Sequence, residues 1–138
     1  MKNTDTPIRI LVADDFDPWR AQTRCILHER PEWQIVSEAC DGLEAVRKAA
    51  ELHPEVVLLD IRMPLLGGIE AAQNILRDSP EAKVVFVTQN GDAEIRRAAL
   101  DTGAQGYVLK ANAQRELIHA ISAALGDYVP SARLLSDL

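Results

Sequence analysis

The sequence has no apolar run of about 18 residues, so it offers no candidate transmembrane helix. Residues 1–7 are polar and lack the apolar core of a signal peptide, so we expect a disordered N-terminus and a cytoplasmic location. Only two cysteines are present, Cys25 and Cys40, and their spacing fits no metal site. We therefore expect both to be buried, reduced thiols.

Basic residues are outnumbered, with 15 lysines and arginines against 21 acidic residues and a formal net charge of −6. An acidic domain repels a phosphate backbone, so we expect no direct binding of this chain to nucleic acid. The length of 138 residues suits one domain with a single core.

Short apolar runs rich in β-branched residues recur along the chain. Such runs are typical of strands that are buried on both faces of a parallel sheet, and the more alternating second run is typical of an edge strand. The predicted strands are 8–13, 34–39, 56–59, 84–87 and 107–109.

Helical patterns separate these runs. Asp17 is a good N-cap followed by Pro18 at the first helical position, and Asp92 is a second plausible cap. The predicted helices are 18–29, 43–52, 69–77, 93–101 and 113–125. Five strand–helix units with right-handed crossovers predict an α/β fold, a doubly wound five-stranded parallel sheet in three layers.

Polar side chains end four of the predicted strands. Asp14 and Asp15 follow the first, Asp60 follows the third, Thr88 ends the fourth and Lys110 follows the fifth. Ligands of open parallel sheets bind at the carboxyl ends of the strands, where the strand order reverses. If the first strand lies centrally beside the third, all five side chains converge on one pocket.

Each residue type has a chemical use in such a pocket. Three crowded carboxylates need a cation, and a set of oxygen ligands suits Mg²⁺. A carboxylate between Mg²⁺ and the Lys110 ammonium is well placed to act as a nucleophile in phosphoryl transfer. The Thr88 hydroxyl can then donate to a phosphoryl oxygen.

The motifs resemble those of response-regulator receiver domains of bacterial two-component systems. The matching stretches are LVADD at 11–15, DGLEA at 41–45, LLDIRMP at 58–64 with Gly68, VFVT at 85–88 and GAQGYVLK at 103–110. The resemblance covers residues 8–125 and implies a flavodoxin-like strand order of 2-1-3-4-5.

The resemblance also implies the acceptor and the metal ligands. Asp60 would accept a phosphoryl group from a sensor histidine kinase and would bind Mg²⁺ together with Asp15. The backbone carbonyl of Arg62 would be a further ligand, and Asp14 would act through a water. The domain would be a phosphoacceptor switch that catalyses its own phosphorylation and dephosphorylation.

Further roles concern the switch and the loop after the acceptor. By resemblance, Thr88 and Tyr107 form the switch pair, Lys110 binds the phosphoryl group, and Pro64 and Gly68 shape the loop. The face at residues 93–125 would receive a partner or a second copy of the chain in a homodimer.

The sequence departs from the family pattern at two positions. Gly67 stands where Asp or Asn is common, and Gln89 stands where a small residue is usual. Arg62 and Asn90 occupy positions that vary in the family and tune dephosphorylation, so the phosphoryl lifetime stays open.

The segment 126–138 is a tail or a linker. Its first residues resemble the linker before a helix-turn-helix in regulators of the NarL/LuxR kind. We expect either a piece of a transcription regulator or a single-domain regulator, and the sequence leaves both open.

Three other readings compete. A haloacid-dehalogenase-like phosphatase would carry Asp-x-Asp on its first strand and a cap insertion. A flavodoxin-like FMN protein would need a phosphate loop where the sequence has Asp14 and Asp15. A pseudo-receiver would bind proteins without being phosphorylated, although all five key residues are present here.

Overall fold

A computed structural model describes residues 6–126. Five parallel strands form one sheet in the order β2-β1-β3-β4-β5, which confirms the predicted doubly wound fold. The strands are β1 (Ile8–Ala13), β2 (Trp33–Ala39), β3 (Val56–Leu59), β4 (Lys83–Thr88) and β5 (Gly106–Leu109). The predicted disordered segment 1–7 and the tail 126–138 lie outside the described range, apart from residues 6, 7 and 126.

Helices cover both faces of the sheet. They are α1 (Asp17–Leu27), α2 (Gly42–Leu52), α3 (Gly68–Asp78), α4 (Ala93–Asp101) and α5 (Ala113–Ala124), with a short 3₁₀ turn at Lys110–Asn112. One apolar core joins the sheet to α1 and α5. The other joins it to α2, α3 and α4. Within residues 6–126, no helix is both long and apolar enough to cross a bilayer.

The strand burial follows from this layering. All four residues of β3 are buried, because the strand is central and has helices on both sides. β2 is an edge strand, as its alternating sequence predicted, and most of its central residues are only partly buried.

The predicted cap of α1 is wrong. Phe16 occupies the N-cap position and makes no side-chain cap hydrogen bond, while Asp17 is already helical. The Asp17 carboxylate instead lies 2.7 Å from Nη2 of Arg20, one turn along the same helix. The helix also ends at Leu27 and not at residue 29, shortly before Pro31, which cannot donate a backbone hydrogen bond. The predicted cap of α4 is confirmed, since Asp92 accepts from the N–H groups of Glu94 and Ile95.

The expectation of buried cysteines is also wrong. Cys25 and Cys40 are both free and exposed. Cys25 lies on the outer side of α1, where its neighbour Ile26 takes the core position. Cys40 follows the edge strand β2 in a bend before α2, so neither core reaches it.

Candidate functional site

The strand register explains why the predicted site residues meet. Ala13 of β1 pairs with Leu59 of β3, so the residues that follow them leave the sheet at the same level. The N–H of Asp60 donates to the carbonyl of Ala13 at 3.0 Å. The carboxylate oxygens of Asp14, Asp15 and Asp60 lie within 4.8 Å of one another.

Lys110 lies against two of these carboxylates. Its Nζ is 2.7 Å from Oδ2 of Asp14 and 3.3 Å from Oδ2 of Asp60. The lysine side chain is only 10% exposed, so solvent screens these contacts less than it screens a surface ion pair. The lysine reaches this position because Thr88 pairs with Leu109, which places the end of β5 beside the end of β4.

Asp14 is the most deeply buried of the three acids. The pKa of its carboxyl is raised, mainly because burial disfavours the charged form and also because the charge of Asp60 is near. The contact with Lys110 and the hydrogen bond from the N–H of Phe16 lower the same pKa and offset part of the rise. Oδ1 of Asp14 accepts from the N–H of Phe16 at 2.8 Å. Oδ2 is buried without a well-directed hydrogen bond, and its contact with Lys110 is an ion pair.

This donor set fits a divalent cation. Three carboxylates and one ammonium leave two uncompensated negative charges when all are ionised, and a divalent ion would balance them. All the acidic side chains offer oxygen ligands, which Mg²⁺ prefers.

The loop after Asp60 is fixed by close backbone packing. Oδ1 of Asp60 accepts from the N–H of Ile61 at 2.7 Å, and the carbonyl of Ile61 accepts from the N–H of Gly68 at 2.8 Å. A Cβ at Gly68 would lie 1.9 Å from the carbonyl oxygen of Asp60, so only glycine fits here. The carbonyl of Pro64 accepts from the N–H of Leu66 at 2.7 Å, across Leu65, whose φ is 68°.

Thr88 and Tyr107 are linked through the loop after β4. Thr88 is buried, and its hydroxyl accepts from the N–H of Asn90 at 3.2 Å. The half-buried Tyr107 donates its hydroxyl to the carbonyl of the same Asn90. Burial raises the pKa of the Tyr107 phenol. The Tyr107 ring centroid lies 6.5 Å from that of Phe86 and 5.6 Å from the guanidinium carbon of Arg96.

Asp60 borders two clefts that open to solvent. One extends toward Thr88 and the other toward Asp15, while Arg62 and Gln89 line both. The structure therefore brings Arg62, whose backbone carbonyl the sequence analysis named as a metal ligand, to the opening beside Asp60. Gln89 lies there too, so both residues border the openings through which solvent reaches Asp60.

Two residues of α1 lie beside the site. The Trp19 ring lies under the Lys110 ammonium, with Nζ 5.2 Å from the ring centroid. Arg20 donates to the backbone carbonyl of Asp14 at 2.6 Å. Sequence reasoning did not single out Arg20, because its contact depends on how α1 packs beside β1.

The acidic pocket and Lys110 lie at the carboxyl ends of the strands, where the order of the parallel sheet reverses. This arrangement is typical of α/β phosphoacceptor domains. The chain belongs to the response regulator receiver domains, whose family model matches residues 10–122. It is thus a receiver domain of two-component signalling.

Similar proteins and similar solved structures are also response regulators. Response regulator GacA of Pseudomonas viridiflava is 40% identical over 114 residues, which are 83% of this chain and 53% of that protein. The chain therefore spans about half the length of the curated relatives it matches. A LuxR-family two-component response regulator from Aurantimonas sp. SI85-9A1 is 34% identical, with a TM-score of 0.83 over 88% of this chain and 86% of that one. A chain of the CheX-CheY-BeF3-Mg²⁺ complex from Borrelia burgdorferi is 26% identical, with a TM-score of 0.83 over 89% of this chain and 94% of that one.

Proposed function

We propose that Asp60 accepts a phosphoryl group from a phosphohistidine of a sensor kinase. One carboxylate oxygen of Asp60 forms a bond to phosphorus as the bond from phosphorus to the histidine nitrogen breaks. The bonding electrons leave with that nitrogen, and the product is an aspartyl phosphate. The observation that carries the proposal is the position of Asp60 between Lys110 and the acidic pair, at the border of both clefts.

The metal is Mg²⁺, held by the carboxylates of Asp15 and Asp60 and the backbone carbonyl of Arg62, with Asp14 acting through a water. Bound there, the ion supplies positive charge for the phosphoryl oxygens. The ion pair between Oδ2 of Asp14 and Lys110, at 2.7 Å, supports an indirect role for Asp14, because that oxygen already has a charged partner. The Borrelia burgdorferi complex of the same fold, which contains Mg²⁺ and beryllofluoride, supports the choice of metal.

Lys110 and Thr88 bind the transferred group. Lys110 neutralises one of its oxygens and is already 3.3 Å from Asp60. Thr88 turns its hydroxyl from Asn90 toward a phosphoryl oxygen, which removes one contact that holds the loop after β4. Because Tyr107 is bonded to the carbonyl of Asn90, its ring position then changes with the loop.

Pro64 and Gly68 hold the acceptor loop against α3, and the site residues catalyse phosphorylation and dephosphorylation without a separate enzyme.

The domain proper is residues 8–125, between an N-terminal segment and a tail at 126–138. The face at residues 93–125 carries the response to an output partner, a second copy of the chain or a DNA-binding domain of the same regulator. The place of action is the cytoplasm.

Asp60→Asn tests the acceptor, because asparagine keeps the shape of the side chain and removes the nucleophile. We expect the variant to fold normally and to take up no phosphoryl group from acetyl phosphate and Mg²⁺, as read by intact mass and a phosphate-affinity gel. The exposed Asp78→Asn is the matched control and should be phosphorylated like the wild type. Stable uptake by Asp60→Asn at another residue would contradict the assignment, and no uptake by the wild type would favour a pseudo-receiver.

A further inference from the structure

Arg20 joins the loop that carries the acidic pair to the edge of the sheet. Its guanidinium donates to the backbone carbonyl of Asp14 at 2.6 Å, to Oε1 of Glu38 at 3.0 Å and to Oδ1 of Asp17 at 2.7 Å. The Arg20 side chain is 15% exposed and Glu38 is 26% exposed, so their pair is partly shielded from water, whereas Asp17 is 80% exposed.

These contacts bracket the turn between β1 and α1. Asp14 begins the turn, Asp17 begins the helix after it, and Glu38 lies on the neighbouring strand β2. One planar cation thus fixes both ends of the turn relative to the sheet. Asp15 lies inside the turn, and its exposed side chain makes no ion pair among the described residues.

The carboxylates need this support because they repel one another. Asp14, Asp15 and Asp60 have oxygens within 4.8 Å, and Lys110 pairs with only two of them, so a turn without further support would relax to separate the charges. Because Arg20 already holds the turn, less conformational entropy is lost when the metal binds.

We propose that Arg20 is a positioning residue for the metal site, acting through the carbonyl of Asp14 and not by contact with the metal. This inference rests on the proposed Mg²⁺ site. Partners that orient metal ligands typically contribute about 10- to 100-fold to metal affinity, and Arg20 contributes near the lower end because it orients a turn and not a ligand side chain.

Arg24 provides the matched control. It lies one turn further along α1 and pairs with the other carboxylate oxygen of Glu38, but it does not reach the acidic turn. Arg20→Met and Arg24→Met both remove a guanidinium beside Glu38 and both keep most of the aliphatic stem. Arg20→Lys keeps the charge but loses the planar set of donors that reaches three acceptors.

The experiment measures Mg²⁺ affinity of each variant by calorimetry, with thermal unfolding to establish folding. We expect about tenfold weaker binding in Arg20→Met, an intermediate value in Arg20→Lys, and a change below about twofold in Arg24→Met. Phosphorylation of Arg20→Met by acetyl phosphate should be slow at low Mg²⁺ and should approach the wild-type rate at saturating Mg²⁺.

The outcomes separate this inference from the proposed function. If Asp15→Ala weakens Mg²⁺ binding but Arg20→Met does not, the site is correct and Arg20 has no positioning role. If Arg24→Met weakens binding as much as Arg20→Met, the effect comes from the loss of a partner of Glu38 and not from the contact with Asp14, and the inference is wrong. If Asp15→Ala leaves Mg²⁺ affinity unchanged, the proposed metal site itself fails. Should Arg20→Met not fold, Arg20→Lys decides, since unchanged affinity in that folded variant overturns the role of the three-way contact.

Discussion

Gly68→Ala places a methyl group where the acceptor loop has no room for it. The new Cβ would lie 1.9 Å from the carbonyl oxygen of Asp60, whereas real Cβ contacts are essentially never below 3.0 Å. The neighbouring atoms are backbone, so either α3 or Asp60 must move by at least the missing 1.1 Å. Overpacking of this kind typically costs about 1–3 kcal/mol of stability. A displacement of about 1 Å at a reacting group can cost about 100-fold in rate.

The assay is phosphorylation of Gly68→Ala by acetyl phosphate at saturating Mg²⁺, with the free energy of unfolding from urea denaturation. Gly67→Ala is the control, because a Cβ there meets nothing nearer than the Ile61 carbonyl oxygen at 3.6 Å and the φ of −69° suits alanine. It should keep its phosphorylation rate and lose less than about 1 kcal/mol, the usual cost of a poorer N-cap. A Gly68→Ala variant with wild-type rate and stability would refute the argument from close packing.

Two further substitutions test the metal and the switch. Mg²⁺ at about ten times its dissociation constant should stabilise the wild type by about 1.4 kcal/mol in thermal unfolding, and Asp15→Ala should lose most of this gain because a ligand is gone. Asp78 is exposed, so the control variant Asp78→Ala should keep the full stabilisation by Mg²⁺. If Asp15→Ala also kept that stabilisation, Asp15 would not be a metal ligand. Thr88→Ala should still accept phosphate at Asp60, but chemical shifts around Tyr107 should no longer respond to beryllofluoride; a full response would show that Thr88 is not the relay.

The sequence determined the elements because their signals are local. Continuous apolar runs such as 56–59 can be satisfied only between two helical layers, and this requirement predicts the parallel sheet before any contact is known. Polar residues at strand ends are equally local. Since parallel strands present their carboxyl ends at one edge, the meeting of Asp14, Asp60 and Lys110 followed from the strand positions.

Contacts between elements were decided only by the tertiary structure. Asp17 has the chemistry of an N-cap, yet its carboxylate pairs with Arg20 and Phe16 takes the cap position. The cysteine thiols are apolar enough for a core, but helix rotation at Cys25 and a bend at Cys40 leave both exposed.

The residues that hold the site in place also depend on contacts between elements. Trp19 lies under Lys110, and Arg20 reaches the carbonyl of Asp14. Each contact depends on the distance and rotation of one element against another, which residue type and spacing do not encode. The sequence therefore determined which groups meet at the edge of the sheet, whereas packing decided what holds them in place.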